Sequence, residues 1–153
     1  MILLAIIFFI VAFVSAFLSL QLFLGLRNSN SVEVNNSNNT LPCVVLIPAH
    51  NEELGIAKTI MSARKEVKEG DVILVVADNC SDSTATVSRD AGAICIERTN
   101  LELVGKGHAL QYGVDYLTKN DVEFATVVVM DADCLFGEGS LHTLLTVSQT
   151  KNC

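Results

Sequence analysis

The sequence is short of positive charge. Ten Lys and Arg stand against 17 Asp and Glu, for a net charge of −7. Nucleic-acid backbones are gripped by basic surface, so nucleic acid is excluded as a partner. Paired cysteines are also missing. Cys43, Cys80, Cys95, Cys134 and Cys153 are odd in number and form no CxxC, which excludes a zinc-finger site or a disulfide framework. Buried free thiols in a reducing compartment are the expectation that remains. Charge of either sign is absent from residues 2–26, which are mostly Leu, Ile, Val, Phe and Ala. A soluble helix needs a polar face, and this run offers only Ser15, Ser19 and Gln21.

A helix of about 20 apolar residues crosses a bilayer, so residues 2–26 are expected to form a single transmembrane helix. A secretory signal is the weaker alternative, because no Lys or Arg precedes the run and it exceeds the roughly 7–15 residues of a signal core. Arg27 flanks the span on its C-terminal side, and positive charge stays inside, so the remainder is expected to face the cytoplasm from the cell membrane. Residues 27–41 form a tether. Six Asn and three Ser between Asn28 and Thr40 cannot bury a core. The sequons at Asn35 and Asn38 are what such composition produces by chance.

From residue 42 to 153 strand-like and helix-like segments alternate. Val44–Ile47 is a β-branched run closed by Pro48. Asn51 reads as a helix cap with Glu52 and Glu53 in the first turn, followed by Ile56, Ile60, Ala63 and Val67 at helical spacing. Val72–Ala77 is a second strand. Ser81 or Asp82 caps a helix ending at Gly92, and Ile94–Ile96 is a third strand. Ala109, Leu110, Val114 and Leu117 mark another helix. Phe124–Met130 is a fourth strand, and Leu141, Leu144 and Leu145 mark a last helix. Strands apolar throughout belong in a parallel sheet covered on both faces. The expected fold is therefore α/β, a Rossmann-like doubly wound sheet, with function at the carboxyl ends of the strands.

The first of those ends, Pro48-Ala49-His50-Asn51-Glu52-Glu53, has no glycine, whereas a dinucleotide-binding turn needs several. With two carboxylates at the helix start, a diphosphate there would need neutralising by another group. Asp78 follows the second strand and suits a ribose hydroxyl or base N–H, although Asp-Asn is also good turn chemistry. Asp131-Ala132-Asp133 leaves the fourth strand. Two carboxylates so close favour a hard divalent cation such as Mg²⁺ or Mn²⁺, which in turn binds phosphate oxygens. Gly105-Lys106-Gly107 lets backbone approach a ligand and brings one cation, without the spacing of a P-loop.

In order, VVLIPAHNEE at 44–53, VVADNCSDST at 75–84, GAICIER at 92–98, GKGHAL at 105–110 and VVVMDADC at 127–134 resemble the inverting glycosyltransferase family 2, of GT-A fold. The likeness is to its bacterial membrane branch of polysaccharide and poly-N-acetylglucosamine synthases, over residues 43 to about 148. The resemblance implies a nucleotide-sugar donor, a UDP-sugar foremost, and other synthase subunits as partners. It implies that Pro48, His50 and Glu52 line the nucleotide pocket and that Asp78 holds uracil or ribose. Lys106 would lie near the phosphates, Asp131 at ribose or metal, and Asp133 on the metal. Family members add an acceptor half with a catalytic Asp or Glu, and the membrane synthases a QxxRW-type motif. Nothing after Asp133 matches these. The expectation is an N-terminal, donor-binding fragment without its general base, inactive in transfer alone. A non-catalytic nucleotide-sugar-binding partner of a full synthase is the rival. A phosphatase resembling the haloacid dehalogenases is more distant, since its DxD follows the first strand.

Overall fold

The computed structural model describes residue 9, residues 11–21 and residues 42–150, with the side chains of 149 and 150 left aside. The chain divides into two units, residues 1–33 and 34–153. In the first, residues 11–21 are helical (α1), and the Ser19 hydroxyl donates to the Ser15 carbonyl at 2.8 Å. Among the described residues no helix is long and apolar enough to cross a membrane. The expected span 2–26 lies partly, and the tether 27–41 wholly, outside them.

The second unit carries β1 (Cys43–Ala49), α2 (Ile56–Glu66), β2 (Val72–Asp78), α3 (Thr84–Asp90), β3 (Ile94–Arg98), α4 (Lys106–Lys119), β4 (Thr126–Val129) and α5 (Ser140–Thr150). All strand pairs are parallel, in the order β3-β2-β1-β4. This is the expected α/β, Rossmann-like sheet. Alternate residues of the central strands enter two cores. Val45, Ile47 and Val75 pack with Ile56, Ile60 and Ala63 of α2 and with Leu141 and Leu145 of α5. Val44, Leu46, Leu74 and Val76 pack with Ala109 and Leu117 of α4. A strand whose two faces are both buried cannot spare a polar position, which explains the unbroken apolar runs.

The boundaries differ from expectation for physical reasons. β1 runs past Pro48 to Ala49, because β4 pairs with β1 only from Cys43 to Leu46. Beyond Leu46, a residue without an N–H costs that side no ladder bond. β4 is shorter than the expected 124–130 and lies at the sheet edge, with Val129 about half exposed. The helix expected from Asn51 begins five residues later, at Ile56, with Gly55 at its cap and no acid in its first turn. On α4 the buried positions are Ala109, Gly113 and Leu117, and Val114 is exposed. Leu144 of α5 is likewise exposed. Among the described residues Cys43, Cys80, Cys95 and Cys134 are free thiols as expected, yet of these only Cys43 is fully buried and Cys134 is exposed. Dehydration first, then the neighbouring Asp71, pushes the Cys43 thiol up to about 12.

Candidate functional site

Chain order along the sheet reverses between β1 and β4, because β2 and β3 extend to one side of β1 and β4 returns to the other. At such a switch point the flanking loops diverge and leave a crevice at the carboxyl ends of the strands. A cavity of about 430 Å³ lies there. The end of β1 lines it with Pro48, Ala49, His50 and Glu52, and the end of β2 with Asp78 and Asn79. The start of α4 brings Val104, Gly105, Lys106 and Ala109, and the turn after β4 brings Asp131, Ala132 and Asp133. All seven residues singled out in the sequence, spread over 86 positions from Pro48 to Asp133, therefore share one wall.

The loops after β1 and β2 are tied to each other. Asn51 adopts a left-handed φ of 55°, and its side-chain oxygen accepts from the Ser81 N–H at 2.8 Å. Glu52 N–H donates to the Thr84 hydroxyl at 2.7 Å, Glu53 N–H to Asp82 Oδ2 at 3.1 Å, and Ser83 N–H to Glu53 Oε2 at 2.9 Å. Asn51, Glu52 and Glu53 thus face across to the next loop instead of opening α2, which corrects the reading of two acids at a helix terminus. Asp82 Oδ1 accepts from both the N–H and the hydroxyl of Thr84, at 3.0 and 2.5 Å. Dehydration works to raise the Asp82 carboxyl, but the bonds from Thr84 and from the Glu53 N–H together hold it below the usual carboxylate range.

His50 Nδ1 lies 2.7 Å from the Asp78 carbonyl. A carbonyl only accepts, so Nδ1 carries the hydrogen. The Asp78 side chain is buried and ion-paired with Arg98, whose Nη1 donates to Oδ1 at 2.6 Å. Arg98 stands at the end of the GAICIER segment, where no local pattern marks it as a partner of Asp78.

The N-terminus of α4 opens on the cavity. Gly105 is its cap, with φ 123°, a conformation that side-chain-bearing residues avoid. The exposed amides and dipole of a helix start favour an anion. The start of α4, not that of α2, is the helix terminus lining this wall. Behind the acidic turn, the buried Thr59 hydroxyl of α2 donates to the Ala132 carbonyl at 2.6 Å. Cys134 N–H donates to the Asp131 carbonyl at 3.1 Å. The turn is therefore fixed from the core side, by a Thr that periodicity alone marks only as a helix position.

One ligand atom each from Asp131, Asp133 and Cys134 lie within 4.8 Å of one another, all three residues exposed. Two carboxylate oxygens with open solvent beside them suit a hard divalent ion that keeps several waters. The donor set thus fits Mg²⁺ or Mn²⁺, which Asp131 and Asp133 would hold. Lys106 Nζ donates to Asp131 Oδ1, so the turn already has one cation beside it. Both partners are half exposed, and such a pair contributes at most about 1 kcal/mol. Dehydration, then the charges of Asp133 and Asp131, raise the Cys134 thiol.

A parallel sheet with an acid-edged cavity at its switch point is the arrangement in which open α/β domains bind their ligands. Residues 44–152 match the family described as glycosyl transferase family 2, and the chain belongs to that family. It is 35% identical over 109 residues to 4,4'-diaponeurosporenoate glycosyltransferase of Staphylococcus aureus (strain USA300), covering 69% of this chain and 28% of that one. The chain therefore spans less than a third of the curated relatives it matches. Among solved structures it resembles the mannosyltransferase PcManGT of Pyrobaculum calidifontis in complex with GDP-Man and Mn²⁺. That match has TM-score 0.63 at 20% identity, over 89% of this chain and 42% of the other. It also resembles glucosyl-3-phosphoglycerate synthase of Mycobacterium tuberculosis in complex with UDP. There the TM-score is 0.51 at 25% identity, over 67% of this chain and 40% of the other.

Proposed function

We propose that this chain binds the nucleotide-sugar donor of a membrane-anchored, inverting glycosyltransferase, with a UDP-sugar as donor and Mg²⁺ or Mn²⁺ as cofactor. The observation that carries the proposal is the convergence of His50, Glu52, Asp78, Lys106, Asp131 and Asp133 on one 430 Å³ cavity at the switch point. Asp78 accepts a hydrogen bond from base or ribose, while Pro48, His50 and Glu52 shape the nucleotide end. Lys106 and the start of α4 attract the diphosphate, and Asp131 and Asp133 hold the metal. When bound, the metal offsets the charge of the departing diphosphate. The ligands of the solved relatives, UDP in one and GDP-Man with Mn²⁺ in another, support a nucleoside diphosphate. Anchoring rests on the charge-free run 2–26, and a cytoplasmic placement of residues 42–153 on Arg27.

The acceptor belongs to the whole protein. The order of motifs favours a growing polysaccharide, with other synthase subunits as partners. The name of the staphylococcal relative points instead to an apolar acid. The exposed Leu101, Leu103 and Val104 in the loop that leads to Lys106 favour this second reading, since Val104 lines the cavity itself. Calorimetry of the full chain with Mn²⁺ and either UDP or GDP tests the donor. Tighter binding of UDP is expected, and tighter GDP binding would transfer the proposal to a guanosine donor.

A further inference from the structure

Arg98 carries a charge, is only 8% exposed, and is not among the residues that line the cavity. It occupies the last rung of the β2–β3 pairing, beside Asp78. Its Nη1 donates to Asp78 Oδ1 at 2.6 Å and its Nη2 to the Leu103 carbonyl at 2.6 Å. One planar fork thus joins the strand-end carboxylate to the loop that delivers Val104, Gly105 and Lys106 to the cavity. Asn79 reinforces both links. Its Nδ2 donates to Asp78 Oδ1 at 3.2 Å and to the Asn100 carbonyl at 3.1 Å, and its Oδ1 accepts from the Asn100 N–H at 2.7 Å. Two donors therefore occupy Asp78 Oδ1. Among the described residues Oδ2 accepts no hydrogen bond, and Asp78 lines the cavity.

We infer that Arg98 is a positioning residue for donor choice: it fixes Asp78 as a one-oxygen acceptor, so that a base with a ring N–H is bound and a base with a ring lone pair is rejected. The inference rests on the nucleotide-sugar reading above. A carboxylate accepts and does not donate, and a guanidinium stays charged at any ordinary pH. Uracil presents N3–H to such an oxygen. Cytosine presents the N3 lone pair, which the carboxylate repels and cannot satisfy. A Lys at position 98 would keep the charge but lose the fork that reaches Asp78 and the Leu103 carbonyl together.

The test is calorimetry of the full chain in Mn²⁺ with UDP, CDP and N3-methyl-UDP. A hydrogen bond to a charged group corresponds to roughly a ten- to hundredfold preference, so the unaltered chain should favour UDP over both others by that factor. Arg98→Gln and Arg98→Lys should lose most of the ratio through weaker UDP binding, while the Mn²⁺ requirement persists. A purely structural Arg98 would weaken UDP and CDP together and leave their ratio unchanged, and that result overturns the inference. Should Arg98→Gln fail to fold, Arg98→Lys and the unaltered chain still decide, since equal affinity for UDP and N3-methyl-UDP is equally contrary. If the unaltered chain binds no nucleotide, the nucleotide-sugar reading itself falls and takes the inference with it.

Discussion

At the scale of single residues, Gly113 shows how closely α4 approaches the sheet. A Cβ there would lie 2.6 Å from Leu46 Cδ1 and 3.1 Å from Val76 Cγ2, and both of those side chains are fully buried. Filling a packed core costs about 1–3 kcal/mol, while removing a helix-interior glycine returns somewhat less than 1 kcal/mol. Gly113→Ala is therefore expected to lower stability by about 1 kcal/mol net, read as a lower midpoint in chemical denaturation. An unchanged or higher midpoint would mean that Leu46 repacks freely. Residue types at the site were legible because they obey local chemistry: Asp78, Lys106, Asp131 and Asp133 each follow an apolar run or flank a glycine. Arg98 and Thr59 were not. Their roles come from partners 20 and 73 positions away, which no local pattern encodes.

At the scale of elements, the strands were easy to recognise and the start of α2 was not. An Asn followed by two Glu is good capping chemistry, and local propensity favoured it. The competing interaction was long-range, since Asn51 and Glu53 bond across to Ser81 and Ser83. The same clasp makes a prediction about acid. The Asp82 carboxyl is held below its ordinary range, so it contributes stability above its unfolded value, near pH 4. That contribution is lost as pH falls through the lower folded value. Asp82→Asn should therefore be less stable than the unaltered chain at pH 6, with the gap closing as pH falls below about 4. Denaturation midpoints measured from pH 6 to pH 2 check this, and a gap that stays constant would remove the charge of Asp82 from the account.

At the scale of the whole molecule, the apolar runs specified a parallel sheet, and the parallel sheet specified where to look. Strand order could not be read from the runs. Nothing in the composition of β4 says that it returns to the far side of β1, yet that return creates the crevice between them. The N-terminal run carries a separate prediction. If residues 2–26 anchor the chain, carbonate extraction should leave it in the membrane pellet, and its release to the supernatant would contradict anchoring. The central claim is that Asp131 and Asp133 hold a nucleoside diphosphate through a divalent cation. Equilibrium dialysis of labelled UDP against the full chain, in Mn²⁺ or in a chelator, tests it most directly. Chelation or Asp133→Asn is expected to weaken UDP binding at least tenfold, the loss of one charge-assisted contact or more. Equal UDP binding with and without Mn²⁺, or in Asp133→Asn, would contradict it.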